Sequence, residues 1–171
     1  PMARSVGDVA LLQNVMCGPH PKDIASLRPK VTVPTSYKPI KGWKIAYSLD
    51  VAGYDIEPDV IANTHKAVET FRALGAKVEE VDLGWKREEV AKASRAHFGT
   101  IFGPWIARYA ESHGELMTDY ALAFAEMAKS VTAKDFVEGL EIETKMYASF
   151  GPMMERYKLF LCPTLPLPAT R

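Results

Sequence analysis

The chain has 171 residues, 47% of them hydrophobic and 25% charged, with 21 Lys+Arg balanced by 21 Asp+Glu. That is the composition of a globular domain with enough residues for its own core. Zero net charge gives no overall pull toward nucleic acid or an anionic membrane surface, and no apolar run reaches spanning length, so neither partner is expected.

The first element is a helix over about Val6 to Met16. Ser5 and Asp8 form its N-terminal cap pair, since a Ser hydroxyl accepts a first-turn N–H and the helix dipole favours a carboxylate there. From Val9 to Cys17 only Gln13 and Asn14 interrupt the apolar residues, which predicts a buried helix. Gly18-Pro19 stops it. The stretch from His20 to Ile40 is proline-rich and reads as a surface crossing. Trp43 to Leu49 then reads as a strand. Asp55 or Glu57 precedes Pro58, a good first helical residue. Val60, Ile61, Thr64, Val68, Phe71 and Leu74 recur at helical spacing up to Gly75, and Lys77 to Asp82 alternates as a second strand. Strand, helix and strand over about forty residues make a βαβ unit. Glu79-Glu80 and Glu88-Glu89 are expected to be solvated.

Beyond Leu83 the pattern turns helical. Val90, Ser94, His97, Phe98, Ile101, Trp105 and Tyr109 share one face, with Pro104 expected to kink or split the helix. A second helix is predicted from about Leu116 to Ala128. Thr132 and Asp135 cap a long third one carrying Phe136, Leu140, Tyr147, Phe150, Met154 and Tyr157 on one face, with Gly151-Pro152 as another kink. Lys158 to Cys162 reads as a short, fully buried strand. The prolines at 163, 166 and 168 end it.

The four histidines lack partners at zinc-ligand spacing, and no phosphate-cradling loop is present. Cys17 and Cys162 leave one long-range disulfide open. Two buried free thiols are the expectation, and they suit a reducing compartment. The aromatic run Phe98, Phe102, Trp105 admits two roles, helix core or the wall of an apolar pocket, to which Met117, Met127, Met146, Met153 and Met154 would add adaptable surface. Pro163 and Thr164 are candidate substrate-binding residues, because ligands of open α/β sheets bind outside the strand ends. A hydroxyl capping a turn explains Thr164 equally well.

Several runs carry a family resemblance. Pro1-Met2-Ala3-Arg4-Ser5-Val6-Gly7-Asp8-Val9-Ala10-Leu11-Leu12 resembles the G-P-M-A-R-[ST]-V-x-D-x-A-L-L run of the amidase signature family. Leu161-Cys162-Pro163-Thr164-Leu165-Pro166-Leu167-Pro168-Ala169 is similar to that family's strand ending in Pro-Thr-x-Pro. In between, Gly18 to Asp23, Gly42 to Ala46 and Leu74 to Val78 resemble its turn, strand and helix-to-strand steps in the same order. Two positions depart from it: His20 replaces the usual Asp, and Lys158 stands where an acidic residue commonly opens the last strand.

The resemblance implies an α/β fold, the C-terminal portion of the amidase signature fold: a few strands of a mixed sheet covered by helices. It divides the chain into 1–40 (buried helix and crossing loop), 41–83 (βαβ unit) and 84–171 (helical cover and last strand). It implies hydrolysis of a carboxamide C–N bond through an acyl-serine, with no metal and no organic cofactor. The family's Ser nucleophile, bridging Ser, Lys base and Gly/Ser-rich loop all precede Met2 in family order. This chain has no Gly-Ser dipeptide, so no catalytic residue is assigned within it. The expected partners are a missing N-terminal catalytic half of the same protein and a small-molecule amide substrate. A homodimer is compatible with this, and the chain alone is expected to be inactive. In related amidases the helical region covers the active site and sets acyl specificity, which is the role the resemblance gives Phe98, Phe102 and Trp105. A cytoplasmic location is expected. The alternatives are the A-type component of a tRNA-dependent amidotransferase, a urea-type (allophanate) hydrolase, and a non-catalytic binding or scaffold domain.

Overall fold

The computed structural model describes residues 1–168. They divide into two compact units, one formed by Pro1–Ile40 and one that begins at Lys41.

The first unit holds helix α1 (Val6–Met16). Ser5 Oγ accepts from the Asp8 N–H at 3.1 Å and donates to the Asp8 carboxylate at 2.7 Å, the cap that the sequence predicts. Residues 17–40 form no regular element. They are tied to α1 by Asn14, whose side chain accepts from the Val33 N–H at 2.7 Å and donates to the Val33 carbonyl at 2.9 Å. Among the described residues the predicted burial of α1 is not observed. Only Ala10 is buried, and Val15 is 81% exposed.

The second unit is a small parallel sheet with helices. Strands β1 (Lys44–Tyr47), β2 (Lys77–Glu80) and β3 (Leu159–Leu161) lie in the order β2-β1-β3. Both pairings are parallel. Helix α2 (Pro58–Ala73) joins β1 to β2, with Pro58 in its first turn and Gly75 at φ +88° after its end. Central strand β1 is the most deeply buried, with Ile45 and Ala46 fully enclosed. β3 is only half-buried, contrary to the fully buried strand expected, because it is an edge strand among the described residues and only β1 covers its side. Leu74, placed on the buried face of α2 by spacing, is exposed at the helix end.

The helical part follows as α3 (Arg87–His97), a π-helical segment (Phe98–Phe102), α4 (Gly103–His113), a short 3₁₀ turn (Gly114–Leu116), α5 (Asp119–Ser130) and α6 (Ala133–Met154). Pro104 interrupts the helix as predicted, but the disturbance is a wider turn placed before it. Pro104 sits in the first turn of α4, where a missing N–H costs least, and the five residues ahead of it take up the change. α5 starts three residues later than expected, since Thr118 supplies the cap by accepting from the Ala121 N–H. Thr132 and Asp135 form a reciprocal capping box on α6. Pro152 lies inside the last turn of α6, which continues to Met154 without splitting.

Small residues set how closely these helices approach. A Cβ on Gly103 would stand 2.6 Å from the Phe124 carbonyl oxygen, and one on Gly139 would stand 2.9 Å from Ala96 Cβ. Near the sheet, Ala46, Leu83, Met153 and Tyr157 form a core cluster with Trp85, Phe150, Met154 and Phe160 around it. Met153 therefore belongs to this core and Met154 packs against it, while Met153 also borders a cavity of about 280 Å³ with Val81, Asp82, Leu83 and Ser149. Leu140 and Tyr147, expected on the inner face of α6, are exposed.

Candidate functional site

The carboxyl ends of all three parallel strands lie at one end of the sheet, and the chain leaves β3 there as Cys162–Pro168. Two backbone bonds place this segment. The Ser48 N–H, just after β1, donates to the Leu161 carbonyl at 3.0 Å, and the Glu57 N–H, at the cap of α2, donates to the Pro166 carbonyl at 2.8 Å. The prolines remove donors that a further strand would need, so the segment turns off the sheet instead of extending it.

Grooves open on both sides of this segment. One, of about 440 Å³, is lined by Asp59, Asn63 and Thr64 of α2 together with Leu161, Pro163 and Thr164. The other, also about 440 Å³, is lined by Leu49, Val51, Tyr54 and Ile56 on one side and Pro163 and Thr164 on the other. The two residues selected from sequence thus lie together, in the wall shared by both grooves. A third groove, of about 720 Å³, lies beyond the ends of β1 and β2 between Asp50, Glu80, Asp82 and Trp85. Val51 borders two of the three grooves and holds φ +53°, a strained conformation for a β-branched residue. Its N–H donates to Ser48 Oγ at 3.3 Å.

The side chains around Thr164 are mainly apolar. Burial pushes the Cys162 thiol above its ordinary value, which favours the protonated, poorly nucleophilic form. The thiol is nevertheless exposed and Cys17 is half-buried, so the expectation of two buried thiols fails, and both cysteines are free. Ser112 Oγ lies 2.7 Å from His113 Nδ1, but both residues are exposed at the end of α4 and line neither of the grooves beside Thr164. Among the described residues no cluster of His, Cys, Asp and Glu could hold a metal ion.

Phe98, Phe102 and Trp105 lie elsewhere in the second unit. None of them lines the grooves at Pro163 and Thr164. Phe98 and Phe102 meet edge to face and both reach Phe124 of α5, at ring separations of 5.6 Å and 6.2 Å. Trp105 is apart from this cluster and takes the Arg108 guanidinium over its ring. These side chains are about half exposed, so they do not form a helix core within this chain. His97 is half-buried, its Nδ1 2.7 Å from Glu143 and its ring edge-on to Phe136.

Sequence reading missed Phe124 and Tyr120, which stack at 5.2 Å. Their i, i+4 spacing was the available signal. It also missed the roles of Glu79 and Glu80. The Tyr157 hydroxyl donates to Glu79 at 2.6 Å and the Tyr47 hydroxyl to Glu80 at 3.0 Å, so these carboxylates are not merely solvated. Glu89 likewise accepts from Lys145.

A family model described as Amidase matches residues 1–171. An amidase from Pseudomonas putida is 27% identical over all of this chain, which spans 37% of that protein. The A-type component of the glutamyl-tRNA(Gln) amidotransferase of Pediococcus pentosaceus is 28% identical over 99% of this chain, which spans 40% of that protein. Among solved structures, a bacterial aryl acylamidase of the amidase signature family superposes with a TM-score of 0.81 at 23% identity, over 99% of this chain and 36% of its own. The described residues contain no helix long and apolar enough to cross a membrane.

Proposed function

The chain belongs to the amidase family, and on that premise we propose that it forms the substrate-facing C-terminal part of an enzyme that hydrolyses a carboxamide through an acyl-serine. The nucleophile, its base and the oxyanion donors are supplied by residues other than these 171, which contain no Gly/Ser-rich loop. One observation carries the reading. The Pro163-Thr164 wall stands at the carboxyl end of a parallel sheet between two grooves, where open α/β sheets receive ligands. Thr164 offers a hydroxyl to an amide, and the groove walls of Leu49, Val51, Ile56 and Leu165 suit an acyl or aryl group. Phe98, Phe102 and Trp105 supply a second apolar surface that discriminates among acyl groups.

The likeness to an amidotransferase component supports a second reading, in which the same chemistry passes ammonia to a partner. The test is a panel of aliphatic amides, aryl amides and glutamine offered to the complete enzyme, with hydroxylamine to trap the acyl-enzyme. Hydroxamate from the acyl or aryl amides is expected. Trp105→Ala should shift kcat/KM between small and bulky acyl amides by about 10- to 200-fold, and Thr164→Val should raise KM. Glutamine as the sole substrate selects the second reading. Absence of any trapped acyl group rejects both, and an unchanged substrate ratio removes Trp105 from the site.

A further inference from the structure

The amino end of the sheet carries a row of like charges. Lys44 opens β1 and stands in register with Lys77, which opens β2. On the other side the Lys158 N–H donates to the Lys44 carbonyl at 2.8 Å, one step ahead of the Ile45–Leu159 pair. Parallel neighbours in register project from the same face about 4.8 Å apart, so three ammonium groups share one edge with Lys44 in the middle. All three lysines are exposed. Among the described residues none of them has a carboxylate within ion-pair distance. Glu79, two residues along β2 from Lys77, is engaged by the Tyr157 hydroxyl instead.

Like charges directly across a sheet are mildly destabilising, and an acidic partner seated on the row would relieve that repulsion. Two apolar side chains border the row: Trp43 precedes Lys44 and is 40% exposed, and Leu74 lies just ahead of the β2 edge and is 58% exposed.

We infer that this amino edge, Lys44, Lys77 and Lys158 with Trp43 and Leu74, is a docking surface for an acidic polypeptide segment. The row offers separate, flexible ammonium charges and neither a cavity nor a nest of backbone N–H groups, which a small phosphate ligand would need. It is also too short, on a chain of zero net charge, to track a nucleic-acid backbone. Spaced carboxylates on a polypeptide, interleaved with apolar side chains for Trp43 and Leu74, match both the charge and the apolar flank.

The test uses the full-length protein that carries these residues, with a fluorescein-labelled peptide alternating Glu and Leu, followed by anisotropy. Saturable binding at low salt is expected, weakening about tenfold between about 25 and 150 mM NaCl as screening sets in. Lys158→Glu should weaken binding more than about tenfold. Lys66→Glu, an exposed change of equal charge on α2, should weaken it less than about twofold. Lys77→Gln tests the same row from β2 if Lys158→Glu proves unstable. Equal effects of Lys158→Glu and Lys66→Glu, or no binding at low salt, would overturn the inference. So would inorganic tripolyphosphate or a thymidylate oligonucleotide that displaces the peptide and binds the same lysines more tightly.

Discussion

The approach of α3 to α6 can be tested by moving one methyl group across the contact. Gly139 is buried in α6, and a Cβ there would stand 2.9 Å from Ala96 Cβ, with its next neighbours at ordinary distances. Carbon contacts settle near about 3.5–4.0 Å, so Gly139→Ala forces the helices apart by more than half an ångström. Such overpacking costs about 1–3 kcal/mol. The gain from replacing Gly by Ala within a helix, about 0.5–1 kcal/mol, offsets part of it. The net expectation is a loss of about 0–2.5 kcal/mol. Ala96→Gly deletes a methyl from a residue only 2% exposed and costs about 1.5–2 kcal/mol, from lost burial and helix propensity together. In the double variant the methyl has merely changed sides, and stability should return to within about 1 kcal/mol of the parent. Urea unfolding followed by circular dichroism measures all four corners of the cycle. A Gly139→Ala that stabilises the protein, or strictly additive single changes, would show that the two helices do not meet at this point.

Thr132→Ala removes the hydroxyl that accepts the Asp135 N–H and should cost about 1 kcal/mol of stability, read from the unfolding midpoint. The Thr132 hydroxyl first and its backbone N–H second hold the Asp135 carboxyl below its ordinary value. Its contribution is therefore complete above pH about 4 and is lost as pH falls through the lowered value, and Thr132→Ala should flatten that acid limb. At the alkaline end, burial first and then Glu80 raise Tyr47, while the bond to Glu79 first and then burial raise Tyr157. The contribution of these two phenols should be constant below pH about 10 and be lost as pH rises through the raised values. The double change Tyr47→Phe, Tyr157→Phe should flatten the fall in a pH series of melts, and an unchanged slope would mean that these phenols ionise no less readily than free tyrosine.

Local chemistry explains which features were legible in the sequence. Ser5-Asp8 and Thr132-Asp135 are self-contained caps, so spacing alone located two helix starts. Pro58 and Gly75 bounded α2 in the same way, and alternation found β2. Burial was harder to read, because apolarity says that a face wants cover and not whether this chain provides it. Most of α1, Leu140 and the aromatic residues of α4 were judged from apolarity and are exposed among the described residues. Hydrogen bonds between distant residues left no local trace. Nothing near Glu79 in the sequence announces Tyr157, 78 residues away. The π-helical turn also escaped notice, since a one-residue change of period looks like ordinary helical spacing over so short a run. The position of Pro163 and Thr164 follows from topology: once β3 is parallel to β1, the residues after its end must sit at the carboxyl end of the sheet.

Zero net charge concealed a division within the sheet. The parallel arrangement puts every strand's first residue at one end, and that residue is Lys44 or Lys77, with Lys158 just before β3. Asp50, Glu80 and Asp82 gather at the opposite end, around the widest groove. An antiparallel sheet of the same residues would mix these charges along both edges. The two ends are therefore suited to different partners. An uncharged amide needs neither lysines nor a strong field, and the grooves beside Pro163 and Thr164 are walled mainly by apolar side chains. The lysine edge faces away from those grooves along the strand axis. A change there should alter what the protein associates with and leave substrate recognition intact, whereas a change at Thr164 should do the reverse.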